Sequence, residues 1–104
     1  MKDATPIIDP SHERRLGGVA RLYGEDIFNV LQKTHVVVIG LGGVGSWAAE
    51  ALVRSAIGEI TLIDFDHVSI SNTNRQLHAL EGEFGKSKID VMAQRLVLIN
   101  PELK

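Results

Sequence analysis

The rhythm of apolar and polar positions changes several times along the chain, and each change marks an element. Val36-Val37-Val38-Ile39, opened by His35, is an unbroken β-branched run. It predicts a strand over 35–39, buried on both faces as in a parallel sheet. Trp47 to Ile57 is rich in Ala, Leu, Glu and Arg, which predicts a helix with Gly58 as its stop. Ile60-Thr61-Leu62-Ile63 reads as a second strand with Asp64 at its carboxyl end. Strand, glycine-rich loop, helix, strand is a βαβ unit.

The flanks read less regularly. Residues 1–10 hold two prolines and little periodicity and read as a flexible arm. Residues 11–34 form a helical lead-in. Ser11 can cap a short helix through Arg15, and the Gly17-Gly18 pair weakens it, each glycine costing about 1 kcal/mol relative to alanine. Ile27, Phe28, Val30 and Leu31 lie mostly on one face of a second helix, from Glu25 to Lys33, with acids at its start and a cation at its end. Residues 35–104 are the core. After the second strand, Ser69 to Gln76 is polar and reads as loop. Ile89, Met92, Leu96 and Ile99 then recur at helical spacing over 86–99, before Asn100-Pro101 ends the helix. Trp47 reads as core packing, and His12, His35, His67 and His78 as structural or solvated residues too scattered for metal ligation.

Composition narrows the classes. With 104 residues and 44% apolar content the chain is one small globular domain at most. A net charge of -2 argues against a generic polyanion-binding surface. The absence of cysteine removes disulfides, thiolate metal sites and a cysteine nucleophile, and fits a reducing compartment such as the cytoplasm. No apolar run approaches the roughly 20 residues that span a bilayer, and the first residues lack a secretory signal.

The chemistry concentrates after the first strand. Gly40, Gly42 and Gly45 have the G-x-G-x-x-G spacing. The first permits a tight turn, the second lets the backbone approach a phosphate, and the third lets the helix pack closely. The helix start then offers free N–H groups and a positive dipole end to an anion. Asp64, at the end of the next strand, is placed to accept hydrogen bonds from a ribose. A nicotinamide or flavin dinucleotide is the default ligand of this fingerprint, but Gly43 adds a glycine and the segment after Asp64 is dense in polar groups. In Asp64-Phe65-Asp66-His67-Val68-Ser69-Ile70-Ser71-Asn72-Thr73-Asn74-Arg75-Gln76, and in Gly85-Lys86-Ser87-Lys88, amides, an arginine and lysines follow the strand end. They suit a polyphosphate, although such residues also make ordinary solvated turns.

Taken together, G-x-G-G-x-G-S, D-F-D-x-V-x-x-S-N-x-N-R-Q and G-x-x-K resemble the ATP-site motifs of the ThiF-type, ubiquitin-activating-enzyme-like adenylating superfamily, over residues 15 to about 101. The fold implied is α/β, a Rossmann-like parallel βαβ nucleotide-binding unit with N-terminal helices. The resemblance implies ATP as ligand, held by Gly40, Gly42, Gly43 and Gly45, with Asp64 on the ribose. Asn74 and Arg75 would reach the phosphates, with Asp66, Asn72 and Gln76 in the same set. Lys88 matches the fourth position of G-x-x-K. Arg75 and Lys88 are the candidate catalytic residues, stabilising charge as a carboxylate attacks the α-phosphate, and Mg²⁺ is expected with the phosphates.

Within the superfamily, Arg15-Leu16-Gly17-Gly18-Val19-Ala20-Arg21-Leu22-Tyr23-Gly24 and Val44 to Leu52 look like the branch that dehydrates threonylcarbamoyladenosine in tRNA to its cyclic form. A sulfur-carrier adenylyltransferase and an NAD-binding dehydrogenase domain are the alternatives. Many members carry an arginine near the N-terminus that reaches ATP across a dimer interface; Gly18 stands there in this chain, leaving Arg15 or Arg21 to take the role. A homodimer is implied. Two clear strands are few for an open sheet, so the chain reads as the N-terminal part of a ThiF-type domain, with little dehydratase activity by itself.

Overall fold

A computed structural model describes residues 10–104. Of the arm expected over 1–10, residues 1–9 lie outside the described residues, and Pro10 opens the first helix. In order come α1 (Pro10–Tyr23), α2 (Glu25–Gln32), β1 (His35–Ile39), α3 (Gly45–Arg54), β2 (Glu59–Ile63), a 3-10 turn (Ile70–Asn72) and α4 (Lys88–Ile99). β1 and β2 pair in parallel, with Val36 opposite Ile60 and Val38 opposite Leu62. The βαβ unit is present, and the chain is mixed α/β.

Helix α1 runs straight through Gly17 and Gly18, contrary to expectation. Tertiary contacts outweigh the glycines' propensity cost. Leu16 is buried, the His12 ring bonds Gln32 Oε1 at 2.7 Å, and Arg15 Nη1 donates to the carbonyls of Leu98 and Ile99 at the end of α4. The Arg21 side chain lies beside both glycines.

Helix α3 ends at Arg54 rather than at Ile57. The chain leaves it through Ala56 in the left-handed region, φ 78°. Gly58 therefore has another function. A side chain there would overlap the carbonyl of Gln32, so glycine is required for β2 to start against the end of α2. Helix α4 starts two residues later than expected, with the Ser87 hydroxyl accepting the Asp90 N–H as its cap.

Leu41, Ala49, Val53, Leu77, Met92 and Leu96 form the main core, against which Val38, Ile60 and Leu62 pack. One sheet face thus meets α3 and α4. The other is open: Val37, Ile39 and Ile63 are exposed. Burial of β1 on both faces is not observed, because among the described residues no element covers that second face.

Candidate functional site

β1 and β2 end side by side, and the glycine loop leaves β1 there. Gly40 turns the chain at φ 90°, a conformation that favours glycine, and its N–H still reaches Ile63 O at 2.7 Å. Gly45 is required for a different reason. A Cβ there would overlap the Gly40 carbonyl, so the first turn of α3 rests directly on the loop. The N–H groups of Gly42 and Gly43 donate to none of the described residues.

Asp64 is tied into this loop. Its Oδ2 accepts the Leu41 N–H and its Oδ1 accepts the Asp66 N–H, each at 2.7 Å. Burial alone would raise its pKa, but these two donors and the nearby Lys88 cation outweigh it and hold the carboxyl below its ordinary range. The group is therefore a carboxylate at neutral pH, with lone pairs left for further donors.

Lys88 opens α4 and is buried along its stem; its Nζ lies 3.9 Å from the exposed carboxylate of Asp66. The same strand end lines a cleft of about 260 Å³ with Ile39, Gly40, Ile63, Asp64, Phe65 and Asp66. Phe65 is almost wholly exposed there.

The segment after the 3-10 turn supplies the remaining groups. The Arg75 side chain lies against Gly43, with carbons 3.5 and 3.7 Å from where a Cβ would stand. Its Nη1 donates to Ser71 O and Asn74 Oδ1. Asn74 and Arg75 are exposed, so both can turn to a ligand. Gln76 is buried with its Nε2 near Gly42, and its Oε1 has no partner among the described residues. Asn72 is buried as well, and its Oδ1 accepts the Ser69 N–H in a capping box. Its carbonyl oxygen therefore shapes the turn.

Trp47 corrects the sequence reading. It is half exposed rather than in the core. Ala49 and Val53 take the inward face of α3, and the Trp47 indole N–H donates to Arg75 O at 2.8 Å. Two further residues were not singled out by spacing. Ser46 Oγ donates to Gly42 O and accepts the Leu77 N–H, while His78 Nε2 lies 2.7 Å from Leu41 O. A serine and a histidine carry no pattern that separates these contacts from ordinary capping or solvation.

The ThiF family profile matches residues 12–104. The chain belongs to the ThiF family. It is 53% identical over 98 residues to the tRNA threonylcarbamoyladenosine dehydratase of Escherichia coli strain K12, a match that takes in 94% of this chain and 37% of that protein. The crystal structure of the E. coli dehydratase in complex with ATP superposes with a TM-score of 0.90 at 52% identity, over 95% of this chain and 41% of that one. Its complex with AMP gives the same TM-score over 96% and 41%. The chain thus spans under half the length of these relatives, and the glycine loop, Asp64 and the segment to Lys88 lie within the matched region.

Proposed function

We propose that this chain is the ATP-binding part of an adenylating enzyme, and that the carboxylate it activates is that of threonylcarbamoyladenosine in tRNA. The observation that carries the reading is convergence. At the paired strand ends, free loop N–H groups, the ionised Asp64, the Arg75 guanidinium and the Lys88 ammonium occupy one edge of the fold. They do so in a chain that superposes on a dehydratase crystallised with ATP.

In the proposed reaction the substrate carboxylate oxygen attacks the α-phosphorus of ATP. The bond to the β-phosphate oxygen breaks and pyrophosphate leaves with its electron pair. The ureido group then closes on the activated carbonyl, giving up its N–H proton as AMP is expelled and the ring is completed. Negative charge gathers on the phosphates in the first step, which fixed N–H dipoles and cations stabilise. Arg75 and Lys88 are assigned that role, and Asp64 the ribose. Gly40, Gly42, Gly43 and Gly45 form the phosphate-facing loop, with Asn74 beside it.

Mg²⁺ is proposed as a companion of the triphosphate rather than a resident ion. It binds characteristically through phosphates with one or two carboxylates, and no three acidic, His or Cys side chains converge among the described residues. A tRNA substrate implies a cytoplasmic protein. A homodimer is supported by the apolar residues Ile27 and Val30 left exposed on α2. No described helix is long and apolar enough to cross a membrane.

Thermal unfolding with Mg-ATP, with NAD and without ligand tests the reading. At about 100 times its dissociation constant ATP should add roughly 2.7 kcal/mol, raising the midpoint by roughly 10–20 °C. Arg75→Ala should lose most of that rise. A midpoint raised by NAD and not by ATP refutes the proposal.

A further inference from the structure

His78 is fully buried, yet only one of its ring nitrogens has a partner. Nε2 lies 2.7 Å from Leu41 O, and Nδ1 has none among the described residues. A carbonyl only accepts, so Nε2 carries the proton and donates. A buried, unpaired Nδ1 is unfavourable, and an apolar ring of the same shape would fill the space without that penalty. What the imidazole adds here is one directed donor.

That donor acts on the peptide joining Leu41 to Gly42. The chain has no cis peptide bonds among the described residues, and in a trans peptide the C=O and the following N–H point to opposite sides. With the Leu41 carbonyl turned inward to His78, the Gly42 N–H is turned outward. Leu41 is restrained further by its N–H to Asp64 and by its fully buried side chain. Ser46 treats the next peptide alike: its Oγ holds the Gly42 carbonyl, which turns out the Gly43 N–H. Both supports run back to one segment, since Ser46 Oγ also takes the Leu77 N–H.

We propose that His78 is a positioning residue of the nucleotide site, whose Nε2–H holds the Leu41 carbonyl inward and so aims the Gly42 N–H at a nucleotide phosphate. The assignment rests on the reading of the glycine loop as phosphate-binding. It makes the short segment 75–78 both a source of ligand groups, through Arg75, and the underside of the loop.

The test is equilibrium titration of the full chain with adenosine, AMP and ATP, comparing wild type with His78→Phe and His78→Gln. Phe keeps the ring and removes the donor; the Gln amide nitrogen can reach the Nε2 position. His78→Phe should weaken AMP and ATP about tenfold and leave adenosine unchanged. His78→Gln should bring AMP back to within about threefold of wild type. A His78→Phe protein that binds AMP like wild type, or that loses adenosine and AMP equally, overturns the assignment. A wild type that binds no adenine nucleotide refutes the ATP reading itself, and the role of His78 with it. Should His78→Phe fail to fold, ¹⁵N NMR of the wild type decides. The ring should be the Nε2–H tautomer, and the Gly42 amide should shift with AMP but not with adenosine. The Nδ1–H tautomer, or a Gly42 amide indifferent to AMP, overturns the proposal.

Discussion

Asp64 does two tasks, and replacing it separates them by magnitude. Its carboxylate accepts the buried Leu41 N–H and the solvent-facing Asp66 N–H, both at 2.7 Å. Asparagine keeps one acceptor oxygen, which would turn to Leu41, the donor water reaches less easily. The amide group then faces Asp66 N–H, which water can serve. Asp64→Asn should therefore cost about 1–1.5 kcal/mol, the value of one exposed charge-assisted bond. Asp64→Ala strips both acceptors and leaves the Leu41 N–H unpaired, for about 3 kcal/mol. Urea unfolding without nucleotide measures this directly. With a slope of about 1.5 kcal/mol per M, the midpoint should fall by about 1 M for Asn and about 2 M for Ala. Because the folded carboxyl lies below its ordinary range, its contribution is present above about pH 4 and is lost as the pH falls through the folded value. Wild type and Asp64→Asn should accordingly converge in acid. Equal midpoints for Asn and Ala, or an Ala variant as stable as wild type, would refute the view that Asp64 builds the loop.

Two other outcomes follow from contacts away from the ligand. Gly58→Ala must drive a methyl into the Gln32 carbonyl, a backbone atom that cannot step aside. It should destabilise by about 3 kcal/mol or more in a melt while leaving the nucleotide affinity of the folded fraction intact. Glu50 is hydrogen-bonded by Arg95 and paired with Arg54, joining α3 to α4, and these partners lower its pKa. That support is present at neutral pH and lost as the pH falls below about 4.5. Glu50→Gln should therefore flatten the acid limb of the stability profile, and an unchanged limb would exclude the bridge as a stabilising contact.

Where local chemistry dominates, reading the chain succeeded. The β-branched run at 36–39 and the segment 60–63, three of its four residues β-branched, became paired parallel strands because such residues pack well on a pleated surface. The Gly40, Gly42 and Gly45 spacing marked the loop because only glycine suits its turn and its contact with α3. Failures came where distant residues decided. α1 crosses Gly17-Gly18 because the end of α4, eighty residues onward, receives Arg15. Trp47 stays at the surface because Arg75 O takes its indole N–H.

The sequence by itself determined the α/β class, the strand–loop–helix order and the acid at the strand end, because each depends on residues close in the chain. It also carried the family's motif set, since order and spacing are one-dimensional properties. Only the tertiary structure decided which way the loop's peptides face. That orientation depends on Asp64, Leu77 and His78, brought beneath the loop from 23 to 37 residues away. Hydrogen bonds of that span leave no periodic trace in a sequence, because their geometry exists only once the core around Leu41 has closed.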